Sequence, residues 1–202
     1  TITGAGTITN DDQAIVSINT QSQAEGTALS YTVSISNPVD VSVSATSNTQ
    51  NGTASSASDY TAISNGTVTF GANSTTGQTV TVNTTSDNLV ELDETLSLIL
   101  SSLSATGRNV IFTGSAATIT GAGTITNDDQ AIVSISSPTV TEGGTLAFIV
   151  TINNPVDVAV TANRATQNGT ATTGDSDYTA LTSANATLFA ASSTAAFTVN
   201  VA

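Results

Sequence analysis

The chain has 202 residues, fifteen acids against two arginines, and a formal net charge of −13. It contains no Lys, His, Cys, Met or Trp. Phosphate neutralisation needs clusters of Lys and Arg, so the balance argues against nucleic-acid binding; without His or Cys there is no Ser-His-Asp triad, no thiolate chemistry and no structural zinc.

Alternating apolar and polar residues, rich in Val, Ile, Thr and Tyr, predict half-buried strands. In chain order they fall at 14–19 (Ile15 beside Val16), 28–36 (Leu29, Tyr31, Val33, Ile35) and 40–47 (Val41, Val43, Ala45). Then come 66–70 (Val68, Phe70), 78–84 (Val80, Val82), 94–102 (Leu96, Leu98, Leu100) and 116–126 (Ile119 and Ile125 around Gly121 and Gly123). Turn clusters separate them at Asn37-Pro38-Val39-Asp40, Gln50-Asn51-Gly52, Asn65-Gly66 and Gly71-Ala72-Asn73. No segment of useful length holds a helical period. Seven strands at this spacing predict an antiparallel β-sandwich. Five more, at 131–136, 145–153, 157–163, 186–190 and 196–202, repeat the first five.

The stretch TITGAGTITNDDQAIVSI at 1–18 recurs unchanged at 118–135, so the chain is a tandem array with a period of 117 residues. The predicted class is all-β, with tandem immunoglobulin-like sandwiches. Residues 1–12 read as the C-terminal strand of a preceding repeat, 13–129 as a complete sandwich, and 130–202 as an incomplete second one. A sandwich short of two strands exposes edges and half its core. Either a longer chain or another copy is expected to supply them.

Several signals carry little. Six Asn-x-Ser/Thr sequons occur (Asn51, Asn65, Asn73, Asn83, Asn168, Asn185), about as many as this composition produces by chance. Gly121-Ala122-Gly123-Thr124 lacks the Lys and strand–helix context of a phosphate loop; glycines inside a strand point to a bulge or twist. Tyr60 and Tyr178 are expected to cover the core. Arg108 and Arg164 have no repeated counterparts. No apolar run reaches the roughly 20 residues of a membrane helix.

The acids carry more. Connections in an antiparallel sandwich alternate between two ends. Glu25 lies in the loop after the first strand, Asp59 after the third, and Asp87, Glu91, Asp93 and Glu94 after the fifth; Asp128 and Asp129 lie at the exit of the seventh. Within the complete repeat all of these fall at one end, and Asp40 alone falls at the other. Glu142 and Asp177 (with Asp175) repeat the first two positions, and Asp11-Asp12 repeat the exit. Loops attract acids for turn chemistry alone, but chance would populate both ends. Carboxylates crowded without cations repel, and hard oxygen donors in this number suit Ca²⁺ rather than Mg²⁺.

The linked stretches QNGTASSASDYTA (50–62), GTVTF (66–70), SDNLVELDETLSLIL (86–100), GTITNDD (123–129) and QNGTATTGDSDYTA (167–180) resemble the Calx-beta domain. That family is known from sodium–calcium exchanger regulatory regions, an integrin subunit and bacterial surface proteins. The resemblance implies a seven-stranded sandwich with Ca²⁺ at its distal loops. By resemblance the ligands are Glu25, Asp59, Asp87, Glu91, Glu94, Asn127, Asp128 and Asp129, with Asp11, Asp12, Glu142 and Asp177 as their counterparts in the neighbouring copies. Ser86 and Asn127 stand where calcium-binding members often carry acids, which implies fewer ions or weaker affinity.

The expected function is a non-enzymatic, calcium-binding structural repeat of a long extracellular or cell-surface protein, an adhesin or filament. Ca²⁺ would stiffen its junctions, and its partners would be adjacent repeats or neighbouring copies. The alternatives are a fibre subunit completed by strand exchange between chains and a regulatory Ca²⁺ sensor.

Overall fold

The structure is a computed structural model that describes residues 1–188 and 194–201; the chain forms two compact units. Nine strands build the first: β1 (Ala14–Ile18), β2 (Gln21–Ala24), β3 (Leu29–Ile35), β4 (Val43–Asn51), β5 (Gly66–Phe70), β6 (Gln78–Val82), β7 (Glu94–Ser104), β8 (Val110–Phe112) and β9 (Ile119–Thr126). They form two sheets, ordered β6-β3-β1-β8 and β2-β9-β7-β4-β5. Pairing is antiparallel except for β1 with β8 and β2 with β9.

Alternation places the core as expected in β3 and β7. Leu29, Tyr31, Val33 and Ile35 are buried with exposed residues between them, and Leu96, Leu98 and Leu100 are buried with half-buried residues between them. One cluster joins Val16, Val33, Val43, Phe70, Leu100 and Phe112; another joins Leu29, Tyr31, Tyr60, Val82, Leu98 and Ile125.

The first strand differs from expectation in two ways. Ala14 and Val16 face the core, while Ile15 is 38% exposed. Apolar residues occupy both parities of AIV, so alternation alone leaves the face open and the pairing of Val16 with Ile35 decides it. The predicted strand 14–19 also becomes two. β1 pairs with β3, the chain crosses at Asn19-Thr20, and β2 pairs with β9 in the opposite sheet. β1 thereby lies between β3 and β8 in one sheet, and β2 covers the edge of β9 in the other. The three-residue β8 is too short to show a period. β4 starts later than predicted and runs on to Asn51, so Gln50-Asn51 ends a strand rather than forming a turn.

The strand glycines are also reassigned. β9 pairs with β7 without a register break, so Gly121 and Gly123 mark no bulge. They mark close approach instead. A Cβ on Gly121 would lie 2.6 Å from the Asn19 carbonyl oxygen, and one on Gly123 would collide with the Tyr31 hydroxyl.

That hydroxyl is buried and has no hydrogen-bond partner among the described residues. Burial, with a smaller push from Tyr60, raises its pKa to about 12. One repeat period of 117 residues further on, Phe148 occupies the corresponding position. A buried unpaired hydroxyl costs about 1–3 kcal/mol, so Tyr31→Phe is expected to keep or raise the melting temperature. A clear fall in a thermal melt would contradict this account of the hydroxyl.

The second unit contains β10 (Val133–Ile135), β11 (Thr145–Ile152), β12 (Val160–Arg164), β13 (Ala184–Leu188) and β14 (Thr194–Asn200). They form a sheet β10-β11-β14 and a pair β12-β13 around Val150, Ile152 and Leu188. β13 and β14 begin two residues before the strands predicted at 186–190 and 196–202; residues 189, 190 and 202 of those predictions lie outside the described residues. Residues 1–12 are exposed and form no strand, whereas the identical 118–129 has β2 and β7 as neighbours. Among the described residues no helix is long and apolar enough to cross a membrane.

Candidate metal centre

The parallel pairing of β2 with β9 sets Ala24 opposite Thr126, and Glu25 N–H continues the ladder to the Thr126 carbonyl at 3.2 Å. Glu25 and the run Asn127-Asp128-Asp129 therefore leave adjacent strands side by side. Gly26, at φ +69°, turns the chain and donates its N–H to the Thr85 carbonyl. A Cβ there would meet the Ser86 side chain at 2.9 Å, so glycine is required both for the turn and for the contact.

Asp59 closes its own loop. Ser55 N–H donates to Asp59 Oδ2 at 2.6 Å, and Asp59 N–H donates to the Ser55 carbonyl at 2.8 Å. Thr85 N–H donates to the Asp59 carbonyl, which fixes this loop against the segment after β6. Glu94 opens β7 opposite Ile125. The adjoining Thr95 N–H donates to Thr53 Oγ1 at 2.8 Å, which ties the start of β7 to the loop carrying Asp59.

Two groups of three acids result. One carboxylate oxygen from each of Asp59, Glu91 and Glu94 lies within 4.8 Å of the others, and the same holds for Glu25, Asp128 and Asp129. Oxygens bound to one Ca²⁺ at about 2.4 Å lie no farther apart than this. Asp129 Oδ2 is buried and accepts no hydrogen bond. These donor sets fit a hard cation, each ion needing further oxygens from water or backbone.

Burial pushes the Asp59 carboxyl up, but hydrogen bonds from the Ser55 N–H and Ser58 outweigh it and hold the pKa below its ordinary 3.8. A lowered carboxyl stabilises the fold fully above its unfolded value and loses that contribution as pH falls through the folded one. Stability measured from pH 6 downward is therefore expected to hold to about 4 and fall below it. In Asp59→Asn this part of the acid dependence should vanish.

Other acids stand differently. Asp87 Oδ1 accepts the Leu89 N–H in a local turn, and Asp87 joins neither group. Asn127 contributes an amide: its Oδ1 accepts the Glu91 N–H at 3.2 Å, and its Nδ2 donates to the Asp129 carbonyl at 3.0 Å. It thus orients both a loop acid and the exit run. Asp40 forms a two-pronged ion pair with Arg108, both contacts at 2.7 Å, so the hydrogen bonds and charge of Arg108 lower its pKa. Asp11, Asp12, Glu142 and Asp177 belong to no group of three acids among the described residues. Asp11 and Asp12 lie on the exposed 1–12 stretch, and Glu142 is exposed before Gly143. Asp177 repeats the Asp59 loop closure, accepting the Thr172 N–H at 2.8 Å.

Sequence reading overlooked Asn51, taken as a turn and sequon residue. Its Oδ1 accepts the Tyr60 hydroxyl at 2.5 Å and the Ser56 N–H at 3.2 Å. The available signal was the recurrence of both Asn and Tyr in the second copy.

The family model for the Calx-beta domain matches residues 9–122 and 126–202. No curated protein matches the chain. Among solved structures, the apo-form Calx CBD1 domain is 19% identical, with a TM-score of 0.50 over 58% of this chain and 100% of that one. CBD12 from CALX1.2 is also 19% identical, at a TM-score of 0.48 over 93% of this chain and 75% of that one. The calcium binding domain CBD12 of CALX1.1 is 18% identical, at 0.48 over 90% and 74%. At this identity the likeness to CBD1 concerns the fold.

Proposed function

The chain belongs to the Calx-beta domain family, and on that premise we propose that it is a calcium-binding structural repeat of a long cell-surface or secreted protein. The observation that carries the calcium reading is the pair of three-acid groups, one with a buried carboxylate oxygen that accepts no hydrogen bond. Glu25, Asp128 and Asp129 would hold one ion; Asp59, Glu91 and Glu94 would hold another, with Asn127 orienting the set. The ion supplies charge neutralisation and a cross-link, and no catalytic role is proposed. Asp11, Asp12, Glu142 and Asp177 are proposed to act with acids of adjacent repeats.

Asp129 is followed by Gln130 and then the next repeat. A connection this short has little slack, so an ion held by the exit run would stiffen the array. The acidic, cysteine-free, Ser/Thr-rich composition supports a surface location, and adjacent repeats or copies are the proposed partners. Titration calorimetry at constant ionic strength tests the site. Glu94→Gln and Asp129→Asn should each weaken calcium binding at least tenfold, while Asp87→Asn should change it much less. Equal affinity in all three variants would remove the ligand assignment.

A further inference from the structure

The loops that carry Asp59 and Asp177 differ in length by one residue, yet they close on the same bonds. In the first, Tyr60 Oη and Ser56 N–H both donate to Asn51 Oδ1, while Ser55 N–H donates to Asp59 Oδ2. In the second, Tyr178 Oη donates to Asn168 Oδ1 at 2.7 Å and Thr173 N–H does so at 3.3 Å, while Thr172 N–H donates to Asp177 Oδ2. Geometry that survives an insertion is set by these side chains rather than by loop length. Each closure engages Oδ2 of the aspartate.

The arrangement also bears on a chemical weakness. Gly52 is required because a Cβ would lie 2.5 Å from both the backbone oxygen and Oγ1 of Thr95. Asn-Gly is the dipeptide most prone to cyclise, since nothing shields the glycine nitrogen. That nitrogen attacks Asn Cγ, the new C–N bond closes a succinimide, ammonia leaves, and water opens the ring to aspartate or isoaspartate. Here the Gly52 N–H is donated to the Thr95 carbonyl at 3.1 Å, and Tyr60 holds the amide that must rotate. In the second copy the Gly169 N–H is donated to the Ala171 carbonyl.

We propose that Tyr60 and Tyr178, by gripping Asn51 and Asn168, are positioning residues for the ligand aspartates Asp59 and Asp177, and that the same grip protects both Asn-Gly bonds from succinimide formation. The positioning half rests on the calcium reading of Asp59; the protective half does not.

The test uses the full chain and Tyr60→Phe, which keeps the buried ring (Tyr60 is 3% exposed) and removes only the hydroxyl. After incubation in chelator at mildly alkaline pH, peptide mapping should show faster isoaspartate formation at Asn51 in the variant and an unchanged rate at Asn168. Tyr178→Phe should give the reciprocal pattern. Calcium affinity of Tyr60→Phe should fall about tenfold, the usual cost of losing a residue that orients a ligand. Equal isoaspartate rates at Asn51 in both chains would overturn the grip. Unchanged affinity, with calcium bound by the parent chain, would overturn the positioning role. A parent chain that binds no calcium would instead overturn the calcium reading, and the isoaspartate comparison would still decide the grip.

Discussion

Calcium added to the chelator-treated chain is expected to raise its melting temperature by about 10 °C. A ligand that binds only the folded state at about 100 times its Kd stabilises by about 2.7 kcal/mol, and each kcal/mol is worth roughly 3–6 °C in a domain of this size. The gain arises because each group holds three carboxylates within 4.8 Å of one another. Without a cation they repel, which disfavours the loop arrangement. Ionic strength must be held fixed, because salt alone screens like charges. Magnesium should do much less, since it demands a tight octahedron and retains water. A melting temperature unmoved by excess calcium would end the calcium reading. Small-angle scattering of the same samples should show a narrower distribution of lengths with calcium, if the junction stiffens as proposed.

Gly123→Ala is expected to lose about 3 kcal/mol or more, a melting temperature lower by about 10 °C in calcium-free buffer. The new methyl would collide with the Tyr31 hydroxyl and lie 3.0 Å from Leu29 Cδ1 and 3.3 Å from Leu96 Cγ. Tyr31, Leu29 and Leu96 are all buried, so none can swing into solvent. Tyr31→Phe removes the nearest of the three obstacles. The double variant should therefore recover part of the loss, and the cycle should show coupling of at least about 1 kcal/mol. Gly71→Ala is the control: nothing lies within 4 Å of its Cβ, and it should change stability by less than about 0.5 kcal/mol. Equal effects at Gly123 and Gly71 would refute the packing account.

Much of the sandwich was legible in the sequence. Period-two alternation gives the buried face of β3, where polar residues separate the apolar ones, and that of β7, where Leu96, Leu98 and Leu100 outweigh the single Ile99 between them. It fails at Ala14–Ile18, where Ile15 and Val16 are both apolar and only pairing with β3 chooses between them. It misses the crossing at Asn19-Thr20 because Gln21–Ala24 lacks an apolar stripe; that strand exists through its ladder with β9. Gly121 and Gly123 read as irregularities, whereas their reason lies across the sandwich in Asn19, Ile18 and Tyr31.

The candidate site divides in the same way. Strand parity alone assigns the acids to one end, since successive loops of an antiparallel sandwich must alternate. Parity says nothing of which acids share an oxygen cage. Asp59 meets Glu91 and Glu94, Glu25 meets Asp128 and Asp129, and Asp87 spends an oxygen on the Leu89 N–H. Asn127, a departure from the acidic pattern, orients the site through its amide.

By itself, then, the sequence determined the repeat period, the buried faces of β3 and β7 and the gathering of charge, because each depends on residue order along the chain. The tertiary structure decided the sheet switch of the first strand, the need for Gly123, the grip of Tyr60 on Asn51 and the grouping of acids in threes. Each of these depends on ångström-scale distances between residues far apart in sequence, and such distances are set by strand pairing and packing across the core.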